Sequence, residues 1–137
     1  MAIRILLADA HTSMRESLRA LIERQPGMEV VAEAENERTM LQASERISPD
    51  VVVMDINLPE IKGVKGTRRV ISGAHGAKFL TLSLHTGRQF ADEMIKAGAR
   101  GYLLKDHAFE ELVRAIQAVA DDRIYLCSGI EDAPESD

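Results

Sequence analysis

A short apolar run that ends on an acid, Val51–Asp55, constrains the fold of this chain more than any other stretch. Its uninterrupted valines and methionine predict a strand that is buried on both faces, and a loop bounded by Pro59 and Gly63 follows it. Asp55 therefore stands at the carboxyl end of a strand, which is where open parallel α/β sheets bind their ligands. The alternative interpretation is an aspartate that only caps the turn.

Length and composition favour one compact domain that does not bind nucleic acid by itself. The chain has 137 residues, of which 45% are apolar, and this is enough for a single core. Its net charge is −5 and it has no basic cluster, whereas binding to a phosphate backbone depends on Lys and Arg. A single cysteine, Cys127, and the lack of a signal-peptide pattern or a membrane-length apolar stretch predict a cytoplasmic protein without membrane contact.

Strands and helices are predicted to alternate along the chain. Beside the central strand, four apolar runs predict strands, at Ile3–Ala8, Met28–Ala34, Lys78–Ser83 and 101–105. Helical spacing of apolar residues fills the gaps between them. The first helix is expected to begin with a capping box formed by Ser13 and Glu16 and to end before Pro26. Five strands alternating with five helices predict a doubly wound parallel sheet.

Four of the predicted strands finish on polar side chains, those of Asp9, Asp55, Ser83 and Lys105. Parallel strands bring all four side chains to one edge of one sheet. Two carboxylates can hold a hard divalent cation such as Mg²⁺, and a lysine and a hydroxyl can bind the oxygens of a phosphoryl group. Because the sequence has no glycine-rich phosphate loop, we expect the phosphate to be carried covalently on an aspartate rather than held as a nucleotide.

Four motifs follow one another in the sequence: Ile-Leu-Leu-Ala-Asp-x-His, Pro-Asp-Val-Val-Val-Met-Asp-Ile-Asn-Leu-Pro, Leu-Ser and Gly-Ala-Arg-Gly-Tyr-Leu-Leu-Lys-Asp. Together they resemble the receiver domain of bacterial two-component response regulators, in detail that of the NarL/FixJ (LuxR-type) subfamily. The resemblance covers residues 3 to about 126. It implies a flavodoxin-like fold with strand order 2-1-3-4-5, a receiver domain over residues 1–126, and a linker or disordered acidic tail over residues 127–137.

The resemblance also implies a role for each strand-end residue. Asp55 would accept a phosphoryl group from a sensor histidine kinase, and Lys105 would pair with the phosphoryl oxygens. Asp9, Asp55 and the backbone carbonyl of Asn57 would bind Mg²⁺. Such a domain passes on a signal, so the chain is not expected to be an enzyme in its own right.

A conformational switch is implied as well. Ser83 would be the hydroxyl that turns toward the phosphate, and Tyr102 would be the aromatic residue coupled to it. The face formed by the fourth helix, the fifth strand and the fifth helix would then change, and would serve as a partner or homodimer surface. Control of transcription would act through a DNA-binding domain that is absent from this chain. The plainer alternatives are an ordinary strand-end hydroxyl for Ser83 and core packing for Tyr102.

Two positions depart from the family pattern. Ala10 stands where the family commonly has a second acid that binds the metal directly, and this predicts weak Mg²⁺ binding. In a metal-free state, Lys105 would neutralise Asp55. Asp106 follows that lysine where many receivers have proline. His11 and His85 lie near the predicted site, but no spacing of His or Cys indicates a zinc centre, so exposed positions are expected for both.

Two other functions compete with a phosphorylated receiver. The first is a degenerate receiver, in which Ala10 has ended the phosphorylation chemistry and the domain acts only as a protein-interaction or dimerisation module. The second is a flavodoxin-like protein that binds a nucleotide or a flavin. The lack of a phosphate-cradling loop disfavours the second, and a colourless purified protein would exclude a bound flavin.

Overall fold

One six-stranded parallel sheet, in the order β2-β1-β3-β4-β5-β6, runs through the computed structural model, which describes residues 2–74 and 76–130. The strands are β1 (Ile3–Ala8), β2 (Met28–Ala34), β3 (Val51–Asp55), β4 (Lys78–Ser83), β5 (Gly101–Leu104) and β6 (Tyr125–Leu126). The helices are α1 (Thr12–Glu23), α2 (Glu37–Ile47), α3 (Gly63–Gly73), α4 (Arg88–Lys96) and α5 (Ala108–Ala120). Within the described ranges, no helix combines the length and the apolar character that crossing a membrane requires.

The middle of the sheet is buried because helices cover both of its faces. α1 packs against α5, while α3 contacts both α2 and α4. All five residues of β3 are buried, as its unbroken apolar run predicts. β2 lies at one edge of the sheet with Glu29 exposed, which agrees with its alternating sequence. The predicted order of the first five strands is confirmed, and with it the doubly wound arrangement.

A sixth strand extends the sheet beyond the five that the sequence predicts. β6 pairs in parallel with β5, where Tyr125 lies opposite Gly101. Beyond it, Cys127 is buried, and its Sγ accepts a hydrogen bond from the Leu104 amide at 3.2 Å. The prediction of exactly five strands is wrong because a two-residue strand has no periodicity of its own. It forms instead through backbone hydrogen bonds with β5, which is separated from it in the chain by the whole of α5.

Glu111 of α5 holds β6 and the residues that follow it. The Tyr125 hydroxyl donates to Glu111 Oε1 at 2.6 Å, the Ser128 amide donates to the same oxygen at 3.3 Å, and the Ser128 hydroxyl donates to Oε2. Burial alone would raise the pKa of Glu111, but these hydrogen bonds outweigh it and lower the pKa below its ordinary value. Packing therefore continues past residue 126, while residues 131–137 of the predicted tail lie outside the described residues.

The start of α1 differs from its prediction. The helix begins at Thr12, and its N-cap residue, His11, makes no capping hydrogen bond with its side chain. The predicted capping box of Ser13 and Glu16 is therefore wrong. Instead, the Asp9 carboxylate accepts a hydrogen bond from the His11 amide at 2.8 Å, the contact of an Asx-type turn. The acid at the end of β1 thus directs the chain into the helix.

Candidate functional site

Two aspartates lie side by side at the carboxyl edge of the sheet. β1 and β3 pair in parallel with Ala8 opposite Met54, so the next residue on each chain segment, Asp9 and Asp55, is a neighbour of the other. The two residues are 2% and 0% exposed. Two buried carboxylates repel each other and lose their hydration, so the site is costly unless cations or hydrogen-bond donors compensate.

Asp55 is compensated at both of its oxygens. Lys105 Nζ lies 2.7 Å from Asp55 Oδ2, and the Asn57 amide donates to Asp55 Oδ1 at 2.9 Å. The predicted fifth strand ends one residue early, at Leu104, and Lys105 begins a short 3₁₀ turn instead. From that turn the lysine side chain reaches past the end of β4 to the end of β3. A positive charge is therefore already in contact with the central carboxylate.

Asp9, in contrast, is compensated at one oxygen only. Its Oδ1 accepts the His11 amide and lies 3.2 Å from Nδ1 of the His11 ring. Its Oδ2 is buried and has no hydrogen-bond partner among the described residues. Arg15 donates to the backbone carbonyl of Asp9 at 2.6 Å, which holds the turn but does not pair with the carboxylate. A cation next to Oδ2 would be stabilised, because a buried carboxylate oxygen without a donor is unfavourable.

A group of potential metal ligands forms at this point. Asp9, His11 and Asp55 each offer one ligand atom, and these atoms all lie within 4.8 Å of one another. The two carboxylates are the oxygen ligands that Mg²⁺ uses, and the partnerless oxygen of Asp9 leaves lone pairs for an ion, so these residues fit a divalent cation. Asn57, which was predicted to contribute its carbonyl, is exposed on the loop after β3.

One loop residue, His85, holds both Ser83 and Tyr102. Ser83 Oγ accepts a hydrogen bond from the His85 amide at 3.0 Å, and the Tyr102 hydroxyl donates to the His85 carbonyl at 2.8 Å. Tyr102 is buried and meets Phe90 edge to face, and the Phe90 ring stacks on the His85 imidazole. Burial raises the pKa of Tyr102, and the nearby Ser83 hydroxyl lowers it by a smaller amount.

The predicted site residues thus fall into two connected groups. Asp9, Asp55 and Lys105 share one cluster of charge, whereas Ser83 and Tyr102 are linked through the loop after β4. The first group can bind a cation and can offer a carboxylate oxygen beside a lysine. The second group ties the end of β4 to the buried aromatic residue of β5.

Sequence reasoning missed what the two histidines contact. Both are exposed, as predicted, but the ring of His11 lies against Asp9 and the backbone of His85 connects Ser83 to Tyr102. A signal for His11 exists in the sequence, because an Asx-type turn folds back the residue two places after a strand-end aspartate. His85 has no such signal, since its contacts use backbone atoms that every residue carries.

This sheet order, with acids, a hydroxyl and a lysine along its carboxyl edge, defines the class of receiver-type signalling domains. The chain belongs to the response regulator receiver domain family, which it matches over residues 5–117. Members of this family are signalling modules, and the match indicates no catalytic family. The resemblance in the sequence motifs is thereby confirmed.

Relatives with curated names are transcriptional regulators and response regulators. The chain is 36% identical over 124 residues to the transcriptional regulatory protein DegU of Brevibacillus brevis, a match that covers 90% of this chain and 52% of that protein. It is 34% identical over 128 residues to the response regulator UvrY of Escherichia coli strain K12, covering 93% of this chain and 59% of that protein. The chain therefore spans between half and three fifths of the length of these two relatives.

Solved structures agree with this assignment. A LuxR-family two-component response regulator from Aurantimonas sp. SI85-9A1 superposes with a TM-score of 0.86 at 38% identity, covering 95% of this chain and 93% of that one. The signal receiver domain of the putative response regulator NarL from Mycobacterium tuberculosis gives a TM-score of 0.80 at 27% identity, and the match covers 89% of this chain and 98% of that one. The NarL/LuxR-type character predicted from the motifs is confirmed.

Proposed function

We propose that this receiver domain accepts a phosphoryl group on Asp55 from a histidine kinase. The observation that carries the proposal is the ion pair at the end of β3, where Lys105 Nζ lies 2.7 Å from Asp55 Oδ2. An acyl phosphate brings further negatively charged oxygens to this carboxylate. A lysine that is already within contact distance supplies the positive charge that stabilises them, without a large rearrangement of the site.

The remaining contacts of Asp55 support its action as a nucleophile. The Asn57 amide holds Oδ1, so the carboxylate has a fixed orientation at the edge of the sheet. When a carboxylate oxygen of Asp55 attacks phosphorus, the P–N bond to the phosphorylated histidine of the kinase breaks and that histidine leaves. Lys105 then shifts by a small distance from the carboxylate to the oxygens of the transferred group. A divalent cation held by Asp9 and Asp55 would neutralise further charge on the transferred group.

The contacts of His85 support a switch that responds to this phosphorylation. When Ser83 turns toward a phosphoryl group, it gives up its hydrogen bond with the His85 amide, which is one of the two bonds that His85 makes with Ser83 and Tyr102. Tyr102 holds the other and lies under α4. The proposed output surface therefore includes α4 and α5, with β6 covering the outer edge of β5.

Control of transcription is the proposed output. DegU is a transcriptional regulatory protein and is about twice as long as its match to this chain. A receiver domain that spans about half of such a protein requires a DNA-binding domain elsewhere, because this chain carries a net charge of −5. Homodimerisation through the α4 and α5 surface would couple the receiver to DNA binding.

Incubation with acetyl phosphate and Mg²⁺, followed by intact-mass measurement, tests the phosphoacceptor. We expect a mass increase of one phosphoryl group, and we expect Asp55→Asn to abolish it. Asp106→Asn is the matched control, because it makes the same change in charge at an exposed residue two positions from β5. A mass increase that persists in Asp55→Asn would rule out this assignment.

A second function, that of a degenerate receiver, is favoured by one observation. Ala10 is partly buried against the core and contributes no oxygen to the cluster of Asp9 and Asp55. If acetyl phosphate leaves the native mass unchanged while Ala10→Asp becomes phosphorylated, the domain acts as an unphosphorylated interaction module.

Hydrogen exchange over residues 84–110, with and without beryllofluoride, tests the proposed switch. Identical exchange in the two samples would exclude the switch.

A further inference from the structure

The acidic cluster contains a nitrogen ligand that its sequence motif does not assign to it. The ligand atoms of Asp9, His11 and Asp55 lie within 4.8 Å of one another. Each ligand atom lies about 2.0 to 2.2 Å from a bound first-row divalent ion, so two such atoms are at most about 4.4 Å apart. Small side-chain rotations are therefore enough to bring all three ligand atoms to one ion. His11 can make such a movement because its side chain is 69% exposed.

A second observation marks the same point as a cation site. Asp9 is 2% exposed, yet its Oδ2 has no hydrogen-bond partner among the residues that the structure describes. Its other oxygen accepts the His11 amide and lies 3.2 Å from the ring nitrogen Nδ1. The same carboxylate therefore presents a free lone pair and positions the imidazole beside it. In this arrangement, one ion would be within reach of both the acid and the histidine.

We propose that Asp9, His11 and Asp55 form a mixed nitrogen and oxygen site that prefers a divalent transition-metal ion, of the Zn²⁺ or Ni²⁺ type, to Mg²⁺. Mg²⁺ takes oxygen ligands in a strict octahedral geometry, and Ala10 supplies none. Imidazole, in contrast, suits Zn²⁺ and Ni²⁺, whose affinities for a given site exceed those of the earlier divalent metals. Replacement of an acid by alanine thus changes which ion the cluster selects.

Lys105 opposes every cation at this site to a similar degree. Its Nζ occupies Asp55 Oδ2, and the Asn57 amide uses one lone pair of Oδ1, so an ion shares the second lone pair of that oxygen. The lysine weakens Mg²⁺ and Ni²⁺ alike, because both carry the same charge. The nitrogen of His11 is therefore the group that separates their affinities.

Calorimetric titration with Ni²⁺ and with Mg²⁺, each alone, tests the proposal. We expect the native chain to bind Ni²⁺ at least about tenfold more tightly than Mg²⁺, and His11→Gln to weaken Ni²⁺ by about tenfold while leaving Mg²⁺ unchanged. His85→Gln is the matched control, because it removes an exposed imidazole near the same edge of the sheet but outside the cluster. No phosphoryl donor is present, so the result is independent of whether Asp55 is phosphorylated.

Nuclear magnetic resonance of the native chain locates the bound ion without any substitution. Paramagnetic Ni²⁺ should broaden the signals of Asp9, His11 and Asp55 at the lowest metal concentrations. Broadening centred on another histidine would overturn the proposal. Equal Ni²⁺ affinities for the native chain and His11→Gln would overturn it too, as would Mg²⁺ binding as tight as that of Ni²⁺.

Discussion

Replacing Asp9 with asparagine should stabilise the metal-free domain, even though it alters the proposed metal site. Asp9 and Asp55 present buried carboxylate oxygens within 4.8 Å of each other. Lys105 forms an ion pair with Asp55 and not with Asp9. The introduced asparagine would keep the carbonyl oxygen that accepts the His11 amide, while its amide group could donate toward Asp55. Asp9→Asn thus removes a repulsion and satisfies a buried atom in one step.

The size of this effect follows from two contributions. Unit charges about 5 Å apart repel by about 3 kcal/mol at an effective dielectric constant near 20, and Lys105 offsets part of this repulsion. The partnerless oxygen of Asp9 adds a desolvation cost of about 1–3 kcal/mol. After this offset, we expect Asp9→Asn to raise the free energy of unfolding by about 1–3 kcal/mol, or the Tm by about 3–10 °C for a domain of this size.

Urea unfolding followed by circular dichroism, with a chelator present, measures the change. Asp106→Asn serves as the control, since an exposed aspartate should alter the free energy of unfolding by no more than about 0.5 kcal/mol. Addition of a divalent cation should narrow the difference between the native chain and Asp9→Asn, because only the native chain has both carboxylates for it. An unfolding free energy for Asp9→Asn at or below the native value would refute the reasoning.

Two further predictions concern the packing of α5. Because the pKa of Glu111 is lowered, its stabilising effect is complete above the ordinary glutamate pKa and is lost as the pH falls through the folded-state pKa. The difference in unfolding free energy between the native chain and Glu111→Gln should therefore shrink in acid. A difference that stays constant from neutral pH to about pH 3 would contradict this prediction. In Gly101→Ala, the added Cβ would lie 2.5 Å from Leu80 Cδ1 and 2.9 Å from Val119 Cγ2. We expect the free energy of unfolding to fall by about 1–3 kcal/mol, which thermal unfolding would measure. An unchanged Tm would contradict this prediction, because it would show that the core accommodates the added methyl group without cost.

The parts of the fold that the sequence predicts are those encoded by local patterns. The run Val51–Asp55 is apolar without interruption up to its final acid, and the structure buries every residue in it. Alternation in Met28–Ala34 likewise predicts a strand at the sheet edge, where β2 lies. Each of these conclusions needs only the periodicity of neighbouring residues and the position of a turn.

The parts that the sequence does not predict depend on contacts that no periodic pattern encodes. Glu111 binds Tyr125 and Ser128 and so contacts β6 and the residue after it. A two-residue strand has no periodicity that could predict its pairing. The ring of His11 meets Asp9 because of the backbone turn between them. The prediction that His11 is exposed did not say where its ring points, because the direction of a side chain depends on the local backbone conformation.

The two hydrogen bonds of His85 have a thermodynamic consequence for any partner of this domain. Its amide binds Ser83 and its carbonyl binds Tyr102, so the proposed switch would couple the conformational equilibria of the two side chains through one segment of backbone. Coupling free energies are reciprocal. If the proposed switch operates, a partner that binds the rearranged form of Tyr102 would increase the affinity of the domain for a phosphoryl mimic near Ser83. The mimic would increase the affinity for that partner by the same factor.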